Sequence, residues 1–254
     1  VFDSESEANT GDVFRGGASA SFEDTIEIRG PLQIGFAGVT FGSFERLDFT
    51  SPPPAAAQAE TTSPAEAPAG PTATFLSSHF ATGRISQSLR LNSYNGYANV
   101  VVEAAQNFSA AAWQFGSWDE NTDLVTLVGN ALDNTLTDAI VRTALVGGDG
   151  DDRYYIGNFN SYVVENNGEG TDTVYANADY TLGANVENLV LITSFFGAGN
   201  ELGNRITGNA NTNTLYGYDG NDTIYGGAGN DGIDGGSGND TLSVSYTHLR
   251  AHET

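Results

Sequence analysis

Residues 199–243 read GNELGNRIT, GNANTNTLY, GYDGNDTIY, GGAGNDGID and GGSGNDTLS, five nonapeptides in one register with no insertion. Glycine opens the copies at 199, 208, 217, 226 and 235, and an aliphatic residue follows seven places later: Ile206, Leu215, Ile224, Ile233 and Leu242. The last three copies carry aspartate at the sixth place, Asp222, Asp231 and Asp240. A run such as GGSGND cannot lie inside a helix, because its glycines favour tight turns of positive φ with carbonyls aimed inward. The residues that follow, TIY or TLS, are β-formers whose middle side chain faces opposite to its neighbours. One nonapeptide is therefore a turn plus a short strand, and two complete a coil. The fold expected is all-β: a parallel β-roll or β-helix solenoid of short strands and Gly-Asp turns.

In such a winding, turns two nonapeptides apart stack at about the 4.8 Å spacing of paired strands. Asp222 then sits over Asp240 with glycine carbonyls around both. Two carboxylates so placed repel, and a hard divalent cation held by oxygens at about 2.3–2.6 Å resolves the repulsion. Calcium suits a flexible, carbonyl-rich site, whereas magnesium keeps its waters and demands a stricter octahedron. The register predicts one complete site between two turns, on Gly217, Asp219, Gly220 and Asp222 and on Gly235, Gly236, Gly238 and Asp240. Weaker sites are expected on Gly226, Gly227, Gly229 and Asp231, and at the step from Asp222 to Asn204. There the stacked partners, Asn213 and Asn204, offer a neutral oxygen without charge. Ordinary Asn-Asp-Gly turns are the metal-free alternative, and strict repetition argues against them.

These glycines, aspartates and aliphatic places resemble the RTX (repeats-in-toxin) family of haemolysin-type calcium-binding repeats, whose unit is G-G-x-G-x-D-x-U-x. The copies at 226 and 235 match its glycines, aspartate and aliphatic place, while the copy at 217 has Tyr218 for the second glycine. The resemblance implies Ca2+ as the bound ion and a module of a larger extracellular bacterial protein. It also implies a type I secretion machinery as partner, through a C-terminal signal that this stretch lacks. Metal-free, such acidic, glycine-rich repeats do not offset chain entropy; in millimolar calcium, binding free energy becomes folding free energy.

Residues 129–155 take up the frame again as GNALDNTLT, DAIVRTALV and GGDGDDRYY. The third places Gly147, Gly148, Gly150 and Asp152 at metal positions, with Asn134 one coil back, and Leu132, Leu136 and Leu145 are expected to fill the interior. Residues 161–198 are expected to interrupt the ladder, and their pattern VVENxGEGTDTV…YTLGANVENLVL resembles the joining segments of RTX-type proteins. Val174, Leu182, Val186, Leu189 and Leu191 should face the core. Glu165, Glu169 and Asp172 are candidates for a further oxygen-rich site, but solvated acidic turns are the expectation, because no repeat fixes their geometry.

Composition narrows the partners. The chain of 254 residues has a formal net charge of −23, with nine arginines and no lysine, which argues against nucleic acid or an anionic membrane and suits a cation binder. Without cysteine, bound metal is the available brace for a secreted chain. No apolar run is long enough to span a bilayer, and the acidic start at Val1 shows no signal peptide and suggests a fragment. Residues 244–254, VSYTHLRAHET, break the frame and resemble a translated sequencing adapter. They are set aside together with His248 and His252, and the native chain is expected to continue in further repeats.

Residues 1–128 read as strand-rich coils: TIEIR at 25–29, LQIGF at 32–36, ERLDF at 45–49, TATFL from 72, ISQSLRL at 85–91, ANVVVEA at 98–104, WQFGSW at 113–118 and DLVTLVG at 123–129. Residues 51–71 hold six of the seven prolines and read as an extended insertion within one architecture. The organisation expected is coils to 128, degenerate-to-good repeats at 129–160, a connector at 161–198 and the tandem block at 199–243. No H-E-x-x-H, G-x-S-x-G or Walker motif occurs, His79 reads as an isolated surface or packing residue, and Trp113 and Trp118 read as packing at a coil end rather than as a sugar-stacking pair, so no catalytic role is expected. The alternative is an adhesin or a polysaccharide-binding or -modifying surface on the coils at 72–128, with a cell-surface or glycan partner.

Overall fold

A computed structural model describes residues 98–245 except 105, 106 and 120, together with the backbone of the strands Val13–Phe14, Thr25–Arg29, Gln33–Gly35, Thr40–Phe41, Phe44–Thr50, Thr72–Leu76 and Ile85–Ser93. The insertion at 51–71, His79 and residues 246–254 lie outside the described residues. Among those described there is no helix, and every strand pairing is parallel. The fold is a β-solenoid. It divides into two compact units, Val1–Val128 with Ala139–Ala144, and Gly129–Asp138 with Leu145–Thr254.

In the first unit, Gln33–Gly35, Thr72–Leu76, Asn99–Glu103 and Leu124–Val128 form successive rungs of one sheet. Thr25–Arg29, Phe44–Thr50, Ile85–Ser93 and Gln114–Phe115 form those of another. The seven sequence-predicted β segments that fall at 25–29, 45–49 and beyond 72 all coincide with these strands. Alternation places Val100, Val102, Val125 and Leu127 inside, each fully buried. Trp113 is buried too, edge-on to Phe108 at 5.9 Å between ring centroids, so its ring is not available for stacking on a sugar.

The second unit carries the tandem block. One sheet runs through Thr135–Thr137, Arg153–Ile156, Thr173–Ala176, Asn188–Leu191, Arg205–Thr207, Thr223–Ala228 and Thr241–Ser245. A second runs through Tyr180–Thr181, Phe196–Ala198, Thr214–Tyr216 and Gly232–Asp234. Pairs such as Ile206↔Ile224, Ile224↔Leu242 and Leu215↔Ile233 give the two-nonapeptide register that the sequence predicts. Ile206, Leu215 and Ile224 are fully buried, whereas Leu242, on the last rung, is 49% exposed.

Two expectations need correction. Residues 161–198 interrupt the nonapeptides but not the winding, because Thr173–Ala176 and Asn188–Leu191 pair in register between Arg153–Ile156 and Arg205–Thr207. Parallel stacking requires only that inward residues match, and Val174, Ala176, Leu189 and Leu191 supply them. Leu136 and Leu145 fill the interior as expected, but Leu132 is 57% exposed. It occupies the turn of its nonapeptide, where the backbone faces the neighbouring coil and the side chain faces water.

Candidate metal centre

The turn that begins at Gly217 lies directly on the turn that begins at Gly235. Gly220 N donates to Ser237 O at 2.9 Å, Ser237 N to Tyr218 O at 2.7 Å, and Gly217 N to Asp234 O at 2.9 Å. Asp222 N donates to Asp240 Oδ1 at 3.0 Å, so the two acids stand one coil apart in vertical register. The same bond recurs wherever an acid holds the sixth place: Asn204 N to Asp222 Oδ1 at 2.7 Å, Asn213 N to Asp231 Oδ1 at 2.9 Å and Asn134 N to Asp152 Oδ1 at 2.6 Å. Each aspartate thus commits one oxygen to the backbone of the preceding coil, and Asp222 and Asp231 keep the other.

That second oxygen identifies the chemistry. Asp222 Oδ2 and Asp231 Oδ2 are buried without a hydrogen-bond partner. An anionic oxygen out of water and unpaired is costly unless a cation meets it. The space beside it is kept clear of side chains, since a Cβ on Gly217 would collide with Asp222 Oδ2 and the Gly235 carbonyl, and one on Gly236 with the Tyr218 carbonyl. The second places of the acidic turns adopt a left-handed backbone, with φ of 95, 89 and 88° at Gly148, Gly227 and Gly236. Tyr218 holds the same conformation at 76° without being glycine. Free carboxylate oxygens beside turn carbonyls are the all-oxygen donor set that calcium takes, and the turns fit it. Burial pushes the Asp222 carboxyl above its ordinary range, against the lowering effect of the Asn204 amide, and the Asp240 charge adds to the rise. Asp219, also expected to contribute, is exposed and pairs through its backbone with Ser237.

At the other end of this unit, the turn of Gly147, Gly148, Gly150 and Asp152 repeats the geometry, and Asp152 N donates to Asp172 Oδ1 at 2.9 Å. Asp172 therefore takes the sixth-place role in the connector. The sequence reading missed this because it kept to the frame set by Gly147. Shifted by two places, residues 167–175 read NGEGTDTVY, a nonapeptide with asparagine at its first place, and Gly168 has the left-handed φ of 86°. Glu165 joins from the adjoining strand Tyr162–Val164, and one oxygen each of Asp152, Glu165 and Asp172 lie within 4.8 Å of one another. All three are buried, at 1, 6 and 1% exposure. Glu169 is a half-buried cap on Asn166, from whose backbone N it accepts at 2.6 Å, and its carboxylate also lies beside Glu165.

The comparisons agree with this geometry. A family model of the RTX calcium-binding nonapeptide repeat, in four copies, matches residues 207–242. The chain is 38% identical over 105 residues to the endo-1,3-1,4-beta-glycanase ExsH of Rhizobium meliloti (strain 1021), a match spanning 41% of this chain and 22% of that relative. No solved structure matches the chain significantly. The block at 207–242, in which Asp222 stands over Asp240, is thus the part of the chain that matches the RTX calcium-binding nonapeptide repeat.

Proposed function

We propose that this chain is a calcium-dependent folding module of a larger extracellular protein, with a structural rather than a catalytic role. The observation that carries it is the unpartnered, buried Oδ2 of Asp222, held in register above Asp240 in a turn that no side chain can fill. Gly217, Gly220, Asp222, Gly235, Gly238 and Asp240 would hold the ion through carboxylates and turn carbonyls. When bound, calcium supplies the positive charge that lets these turns close. The chain's own contribution is to aim the oxygens and exclude competing side chains. Export before folding follows from the same physics. In low intracellular calcium the acidic turns repel, and at millimolar calcium outside the cell the winding becomes favourable. Among the described residues no helix is long and apolar enough to cross a membrane. The test is circular dichroism and thermal unfolding of the full chain in chelator and in millimolar calcium. A strand signal and midpoint indifferent to calcium would sink the reading.

A second reading attaches the module to polysaccharide. It draws on the ExsH match and on a groove of about 580 Å³ lined by Phe159, Tyr162, Asp179, Tyr180 and Phe196, where the exposed rings of Phe159 and Tyr162 are placed to stack on sugars. Sedimentation of the calcium-loaded chain with insoluble β-1,3-1,4-glucan tests it, and a chain left wholly in the supernatant rejects it.

A further inference from the structure

From the convergence of Asp152, Glu165 and Asp172 we infer a second divalent-cation site, of higher charge than the tandem turns and completed by a residue outside the nonapeptides. The inference rests on the calcium reading above and extends it to Glu165, a residue that the repeat pattern does not mark. Two of the acids belong to successive coils, as Asp222 and Asp240 do. The third does not. Glu165 arrives because the strand before it alternates, with Ser161 and Val163 buried and Tyr162 and Val164 exposed, so period two turns the acid inward with the valine. An inward position in a solenoid ordinarily takes an aliphatic residue, and a carboxylate there requires compensation.

Part of that compensation is present. Tyr154 Oη donates to Glu165 Oε1 and stands 3.4 Å from Asp152 Oδ2, while Asp152 Oδ1 receives the Asn134 amide at 2.6 Å. The rest is missing. Glu165 Oε2 is buried without a hydrogen-bond partner on a residue 6% exposed. Gly147 borders the same space, where a Cβ would meet Asp152 Oδ2, Tyr154 Oη and Glu165 Oε1. Burial is the main reason the three carboxyls rise, Glu165 to about 9, Asp172 to about 7 and Asp152 to about 6, and the acids raise one another further. A hard dication removes the repulsion and uses the free oxygen. Three carboxylates around it bring more charge than the two of the 217–235 pair, and charge count sets affinity in oxygen sites. This site therefore fills first, and it fixes the connector before the tandem turns close.

The test compares the full-length wild type with Glu165→Gln and with the double variant Asp222→Asn/Asp240→Asn. Each is titrated with calcium chloride by calorimetry and melted in chelator and in calcium. Glu165→Gln should weaken the tightest binding class by about tenfold or more, raise the chelator midpoint and shrink the calcium-induced rise. The double variant should keep the tightest class and lose a weaker one. If Glu165→Gln titrates as wild type, or lowers the chelator midpoint while the calcium-induced rise stays whole, Glu165 is only the hydrogen-bond partner of Tyr154 and the site is overturned. Should Glu165→Gln not fold, Asp172→Asn decides by the same readouts. A wild type without any calcium response refutes the module reading itself, whereas a wild-type response unchanged by either variant refutes only this site.

Discussion

Two kinds of turn share the tandem block, and their difference shows what an aspartate does there. At 199–204 and 208–213 the sixth residue is asparagine, and its amide completes the turn from within. Asn200 N donates to Asn204 Oδ1 at 2.7 Å and Asn209 N to Asn213 Oδ1 at 2.8 Å. Their Nδ2 groups donate to carbonyls of the preceding coil, Val186 O at 3.0 Å and Ser194 O at 3.2 Å. At 217–222 and 226–231 the sixth residue is aspartate, which has no N–H to give, and one oxygen remains unpartnered. Backbone follows side chain. Positive φ occurs at the second and fourth places of the acidic turns, while no residue of the asparagine turns adopts it. An asparagine turn is self-sufficient. An aspartate turn is open by one positive charge.

The largest effect should come from converting one kind into the other. Asp222→Asn/Asp240→Asn removes two charges from the 217–235 pair. At calcium one hundredfold above the dissociation constant, a lost site forfeits about 2.7 kcal/mol of stabilisation. In chelator the sign reverses, because the variant no longer buries the unpaired Asp222 oxygen. Thermal unfolding in both conditions should therefore give curves that cross. Destabilisation in both would mean the carboxylates serve the fold without metal.

The next effect tests the space. Gly217→Ala puts a methyl group where the Asp222 carboxylate and the Gly235 carbonyl already are. Neither is the free end of a long chain, so the turns must separate, at a cost of about 2 kcal/mol by the ordinary scale of overpacking. Gly232→Ala is the control, since nothing lies within 4 Å of a Cβ built there. The comparison sharpens if Gly217→Ala also loses the calcium-induced rise in midpoint and Gly232→Ala keeps it. Equal calcium responses would separate the ion from this turn.

How far the sequence carried these conclusions depended on period. The nines fixed strand positions, the parallel register and the stack of Asp222 on Asp240, because in a solenoid each coil repeats the contacts of the last. They did not reveal that asparagine closes its own turn, which depends on amide donors that a table of ligands treats only as weaker oxygens. The inward turn of Glu165 was written in the alternation of Ser161 to Glu165. Acidity there suggested solvent and hid the period-two reading. Asp172 was named as a candidate, but its sixth-place role was hidden by a frame shift of two residues that parallel pairing absorbs without loss.

Tyr218 offers the smallest and most discriminating comparison, because it is the one side chain in the acidic turns where the others have a left-handed glycine at the second place. An L-residue there pays about 1–2 kcal/mol of strain. Glycine would relieve it but restores about 0.5–1 kcal/mol of freedom to the unfolded chain. It also removes a ring that stacks on Tyr216 at 6.2 Å between centroids and is itself 47% exposed, a contact of about 0.5 kcal/mol at such exposure. These terms nearly cancel, so Tyr218→Gly should leave stability within about 0.5 kcal/mol of wild type. Tyr218→Ala keeps the strain and loses the ring, and should cost up to about 1 kcal/mol. Chemical denaturation in saturating calcium resolves the pair. If alanine is as well tolerated as glycine, the ring contributes nothing; if glycine stabilises by more than 1 kcal/mol, strain dominates and the departure at Tyr218 is a defect in the repeat rather than a compensated substitution.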